Sequence, residues 1–152
     1  MFALTNYDLL CHCMVMSLDE AVASLSSMDA ALDLAHGLLK LGKDGLGKQS
    51  GATAWEVHAV VPLAVILFAA GPLGCGEGEP WVRAAIDNAD PEDTVQPGWA
   101  RAALLCITVD PQMARSVARL AGLSQRQRDC LVMALRVALD ESPGTLAGTA
   151  RI

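Results

Sequence analysis

The side chains of this 152-residue sequence best suited to metal or nucleophile chemistry are five cysteines and three histidines. Cys11, His12 and Cys13 are contiguous, and Cys75 would supply a fourth zinc ligand. Paired zinc cysteines are ordinarily separated by about two to four residues, whereas adjacent side chains in C-H-C diverge. No metal or other cofactor is therefore expected. Cys130 has arginines close by, and these would lower a thiol pKa. Its helical phase, however, places it with Leu131 and Ala134 on an apolar face, and no histidine is positioned to activate it. His36 lies beside an apolar stripe and His58 next to the most apolar segment, where each is expected as a hydrogen-bonded histidine at the core edge. Asp87, Asp90, Glu92 and Asp93 fall among Pro, Asn and Thr, so they predict a solvated rim rather than an acid-base pair. The glycines and lysine from Gly42 to Lys48 meet the Walker spacing, but Gln49 stands where a hydroxyl should hold magnesium and a helix precedes them. A plain surface loop is predicted there, and the chain is not expected to be an enzyme.

One stretch has a different character. Residues 114–135, "ARSVARLAGLSQRQRDCLVMAL", resemble a bacterial helix-turn-helix. Val117 takes the place of a core residue, Ala118 that of the small residue at a close helix crossing, and Gly122 that of the left-handed turn. Leu123 packs beneath the turn and Ser124 caps the second helix. The resemblance implies that Ser124, Gln125, Arg126, Gln127 and Arg128 begin a recognition helix that contacts phosphates and base edges. The pattern departs at Arg128, where the second helix would place an aliphatic residue against the first, and a buried unpaired arginine is costly. An α-hairpin with Gly at its turn and a Ser cap has the same string of residues, so a generic hairpin is preferred and a DNA-binding regulator is the alternative.

Protein recognition has its own candidates. Trp55, Trp81 and Trp99 each stand near a predicted helix start beside a loop, where an indole either closes a small core or lines a groove with an acidic loop at one side. Together with Arg115 and Arg119 they form the candidate protein-binding set. Charge supports it: the chain carries −6 overall, but residues 111–139 hold five arginines against Asp129 alone, a local +4 on a body of −10. Such a segregated surface suits an acidic partner or contact between two copies. It also disfavours indiscriminate binding to nucleic acid or anionic membrane. A small regulatory or inhibitory protein that binds another protein, assisted by homo-oligomerisation, is the expected function.

The elements that must position these groups are helices. Hydrophobic residues make up 53% of the chain but aromatics only 4%, a composition of Ala, Leu and Val suited to closely packed helices. Ser17 and Glu20 form a capping box that opens a long first helix, striped by Ala21, Leu25, Met28, Leu32, Ala35 and Leu39 and ending near Gly42. The uncharged segment around residues 60–70 is the expected centre, with Thr53 as a cap before it and Pro62 kinking it or dividing off its first turn. Its apolar run is interrupted by Pro62 and closed by Gly71 and Pro72, short of the roughly 20 residues a spanning helix needs, so no membrane insertion is expected. Pro80 opens a short helix, a helix follows Trp99 with residues 107–109 as a competing extended stretch, and Pro111 and Ser124 open two more. The prediction is an all-α, orthogonal bundle of about five or six helices in one domain over residues 16–143. Residues 1–15 are read as a loosely packed extension and 144–152 as a frayed tail. The odd cysteine count and the absence of a basic leader indicate reduced thiols and a cytoplasmic protein.

Overall fold

The computed structural model describes residues 17–45 and 54–140, with side chains over 17–40 and 58–140. Seven helices follow in order: α1 Leu18–Ala23, α2 Met28–Gly45, α3 Ala54–Ala70, α4 Glu79–Ile86, α5 Trp99–Cys106, α6 Pro111–Ala121 and α7 Gln125–Asp140. No strand occurs among the described residues, and the helices pack on one another as an all-α bundle. The predicted surface loop from Gly42 is helical in its first residues, because α2 continues to Gly45, and the rest of that loop, the proposed extension, the Thr53 cap, the tail and the Cys11, His12 and Cys13 cluster lie outside the described residues.

The bundle is organised by α3. Every side chain from Leu63 to Ala70 is buried, and the helix packs against each of the other six. A helix that is apolar on all sides has no face to offer water, so it occupies the centre and the amphipathic helices cover it. Pro62 is buried inside α3, and the helix runs through it without a break. The predicted division of its first turn is therefore not found.

The predicted long first helix is two helices. Ser24 donates its hydroxyl to the Ala21 carbonyl at 2.8 Å and ends α1, while the Ser27 hydroxyl accepts the Ala30 amide at 3.1 Å and starts α2. Serine hydroxyls compete with the helical ladder for backbone partners, and three serines within four residues win here. The apolar stripe continues across the break, since Leu25 and Met28 both reach the core.

The capping box at Ser17 forms as expected, with the Glu20 amide donating to the Ser17 hydroxyl at 3.1 Å. Asp19 does something its position did not announce: its carboxylate accepts the Glu79 amide at 2.8 Å and so caps α4 across the chain. Gly78 sits against that carboxylate at φ +74°, a conformation that favours glycine, and an added Cβ would run into Asp19. Residues 107–109 form a helical turn rather than an extended stretch, closed by the Val109 and Asp110 amides donating to the Cys106 carbonyl at 3.0 and 2.9 Å. Asp110 then caps α6 through the Met113 amide, with Pro111 at its first position.

A candidate protein-binding groove

The α5–α6 hairpin leaves an apolar trough on the surface. The two helices are joined by only residues 107–110 and pack side by side, and five alanines line the groove beside them. Ala100 and Ala103 on α5 and Ala114, Ala118 and Ala121 on α6 floor a groove of about 250 Å³. Leu104 and Ile107 rise along one lip, 49% and 41% exposed, while Pro91 and Thr94 of the loop before α5 form another wall. Arg115 stands in the rim. Neither Arg115 nor Arg119 pairs with a carboxylate among the described residues; the Arg119 guanidinium only donates to the Ser116 hydroxyl at 3.2 Å. Exposed aliphatics thus stand grouped beside a concave apolar floor.

The loop that walls this groove is ordered by its own side chains. Asn88 donates from its amide to the Asp93 carboxylate and the Pro97 carbonyl, both at 3.0 Å, and accepts the Asp90 amide on its side-chain oxygen at 3.3 Å. Asp93 in turn accepts the amides of Gln96 at 3.0 Å and Val95 at 3.1 Å. These amides, Gln96 foremost, hold the Asp93 carboxyl below its ordinary pKa. Gly98 allows the closure, because an added Cβ would stand 2.6 Å from the Asn88 amide nitrogen. What the composition predicted as a solvated linker is a pinned turn whose carboxylates are at the surface and are partly engaged in holding it.

Trp81 and Trp99 do not line the groove. Trp99 is fully buried with its indole nitrogen donating to the Ile86 carbonyl at 3.2 Å, and Trp81 is 6% exposed. Both close the core, the alternative role of an indole at a helix start, because burying so large a ring outweighs leaving it at a rim. Trp55 belongs to α3, and its side chain lies outside the described residues. Of the protein-binding set, Arg115 and Arg119 remain at the surface and the small residues of α5 and α6 replace the rings.

The helix-turn-helix candidate is placed differently from its pattern. Gly122 has φ −83° and ψ −1°, right-handed rather than left-handed, and Ala118 is exposed on the groove instead of lying in a helix crossing. The main packing of α6 is with α5 and α3, and that of α7 is with α2 and α3. Ser124 and Gln127 do form their capping box, at 3.2 and 3.3 Å between side chain and backbone. Gln125 and Arg126 are exposed beside it. Arg128 is half-buried and donates to the Ala89 carbonyl at 3.1 Å, while its Nε is buried without a partner. It ties α7 to the acidic loop across a polar cleft of about 440 Å³, which the Arg136–Asp87 ion pair at 2.7 Å also spans. Arg128 is thus a strut of the fold more than a free donor.

Cys75 is half-buried with a free thiol. His36 and His58 are exposed rather than set in the core edge. Cys130 is half-buried, and no group of three or more ligating side chains occurs among the described residues. Cys106 is buried with its thiol against the Val65 carbonyl at 3.6 Å. Burial, reinforced by Asp110, pushes its pKa up to about 12. A Cys106→Ala variant is expected to show the same number of dye-reactive thiols as the wild type in native buffer and one fewer in denaturant. A difference in native buffer would place Cys106 at the surface.

The class defined by these observations is an all-α bundle with a surface-open apolar groove, and among the described residues no helix is long and apolar enough to cross a membrane. No protein-family model, curated protein or solved structure matches the chain.

Proposed function

We propose that this is a small regulatory or inhibitory protein that acts by binding another protein through the α5–α6 groove. The observation that supports this most is the alanine floor between two helices, lipped by exposed Leu104 and Ile107. Small side chains let a third helix approach closely, and aliphatic lips then bury its apolar stripe. Arg115 and Arg119 add a basic flank without ion pairs among the described residues. The partner of best fit is an amphipathic helix with small or aliphatic residues on one face and carboxylates beside them.

Affinity capture from cells with the wild-type chain and with Ala118→Glu tests this. Ala118 is exposed, so the substitution fills the groove with a charge and is expected to leave the melting curve unchanged. A defined partner should be retained by the wild type and lost with Ala118→Glu. Identical recoveries from both proteins would remove the groove from consideration. Duplex DNA at low and moderate salt serves as the second arm. No salt-sensitive retention is expected, and binding that is lost in Arg126→Ala would replace the proposal with the DNA-binding regulator.

A further inference from the structure

The surroundings of the groove resemble the chemistry of something that would fit it. Val95 is 78% exposed, the most exposed large aliphatic side chain among the described residues. It follows Thr94, which walls the groove, but is itself outside the lining. Its backbone is held by Asp93, so the side chain is presented to solvent on a fixed turn and does not fold back onto its own groove. A rigid, exposed aliphatic residue costs little ordering entropy when it binds. Beside it, Glu92 is exposed and its carboxylate has no cationic partner among the described residues. Arg115, in the groove lining, and the exposed Arg119 one turn on likewise have no carboxylate partner among the described residues.

We infer that a second copy of this chain occupies the groove: Val95 of each protomer enters the α5–α6 groove of the other, and Glu92 of each faces Arg115 and Arg119 of the other. This rests on the groove being a protein-binding surface, and it names the occupant. Glu92 and Val95 adjoin the groove-walling residues Pro91 and Thr94 in the chain and Arg115 lines the groove, so a two-fold axis beside that wall would satisfy both copies at once. Isologous closure of this kind stops at a dimer, whereas a plug and a groove on opposite faces would build open chains. The charges favour a second copy over an unrelated acidic protein, because the chain itself carries both an exposed acid, Glu92, next to the groove-walling Pro91 and an exposed base, Arg115, in the groove. The dimer covers the groove, so self-association and capture of another protein exclude each other, and the available groove falls as concentration rises.

Sedimentation equilibrium of the full chain over a wide concentration range tests the inference. The wild type is expected to show a reversible monomer–dimer equilibrium that weakens with salt. Val95→Asp should weaken the dimer about a hundredfold, since two valines lose their burial per dimer. Ala118→Glu should act similarly. Glu92→Arg and Arg115→Glu should each weaken it by about three- to tenfold, and the combined Glu92→Arg, Arg115→Glu protein should recover wild-type association, because the exchanged charges face each other again. All these side chains are exposed, and circular dichroism verifies that each variant is folded. A dimer that persists in Val95→Asp, or a double exchange no better than its parts, overturns the inference. A wild type that stays monomeric also overturns it; if such a monomer still loses a captured partner in Ala118→Glu, the groove stands and only its occupant by a second copy falls.

Discussion

Replacing Trp99 by alanine is expected to remove about 3–5 kcal/mol of stability. The ring is completely buried at the start of α5, where it packs with the core, and its indole nitrogen satisfies the Ile86 carbonyl at 3.2 Å. Alanine would leave a cavity where α4, α5 and the Asn88 turn converge, and would leave that carbonyl without its donor. Against a total that for domains of this size runs to about 5–15 kcal/mol, the loss is enough to bring the melting transition down by roughly 6–20 degrees. Trp99→Phe separates the two contributions: it keeps most of the packing and loses the hydrogen bond, so a loss of about 1–2 kcal/mol is expected. Urea unfolding followed by circular dichroism measures both. A Trp99→Ala protein with an unchanged midpoint would show that the ring is a surface residue after all.

The second large effect is expected at Asn88. Its amide and carbonyl oxygen hold Asp93, Pro97 and Asp90, and its backbone carbonyl accepts the Trp99 amide at 2.9 Å. Asn88→Ala removes the three side-chain bonds and leaves the Pro97 carbonyl and the Asp93 carboxylate to water, a cost of about 2–3 kcal/mol. The same change releases Val95 from its fixed presentation, so the self-association inferred above should weaken by more than the fold does. Amide exchange at Val95 and Gln96 reads this directly and should rise in the variant. Acid is expected to act on the same anchor. The Asp93 pKa is lowered in the folded chain, so the support from its carboxylate is fully present above the ordinary carboxylate value and is lost only as pH falls through the lowered one. Protected Val95 and Gln96 amides at mildly acidic pH, opening only in stronger acid, are the expected result; loss of protection near neutrality would contradict it.

Local chemistry was legible from the sequence wherever neighbours in the chain suffice. The capping boxes at Ser17 and Ser124, Pro80 and Pro111 at helix starts, and the apolar stripes of α2 and α7 all depend on contacts within one or two turns, and all form. The all-α class followed from the same signals, and so did the central position of α3, because a helix without a polar face can be satisfied only by being surrounded. The break at Ser24 to Ser27 was missed because periodicity records which side a residue faces and continues through a gap of four residues; hydroxyl competition with the backbone records the gap.

The candidate site was less legible. An indole near a helix start fits a core and a groove equally well, and only the convergence of α4, α5 and the Asn88 turn placed Trp81 and Trp99 inside. Alanines at 100, 103, 114, 118 and 121 look like ordinary helix formers in sequence; they line a trough because α5 and α6 pack side by side. Arg128 shows the same limit from the other direction. Its charge suggested a ligand contact, and its length let it reach the Ala89 carbonyl 39 positions away in the chain. The sequence by itself determined which segments are helices, how most of them begin and which faces are apolar, since those depend on backbone hydrogen bonds and side-chain spacing within a few residues. Which apolar faces are consumed in the core and which remain open to a partner was decided only by tertiary structure, because that depends on which helix happens to cover which, and burial is a property of the assembled surfaces rather than of any one segment.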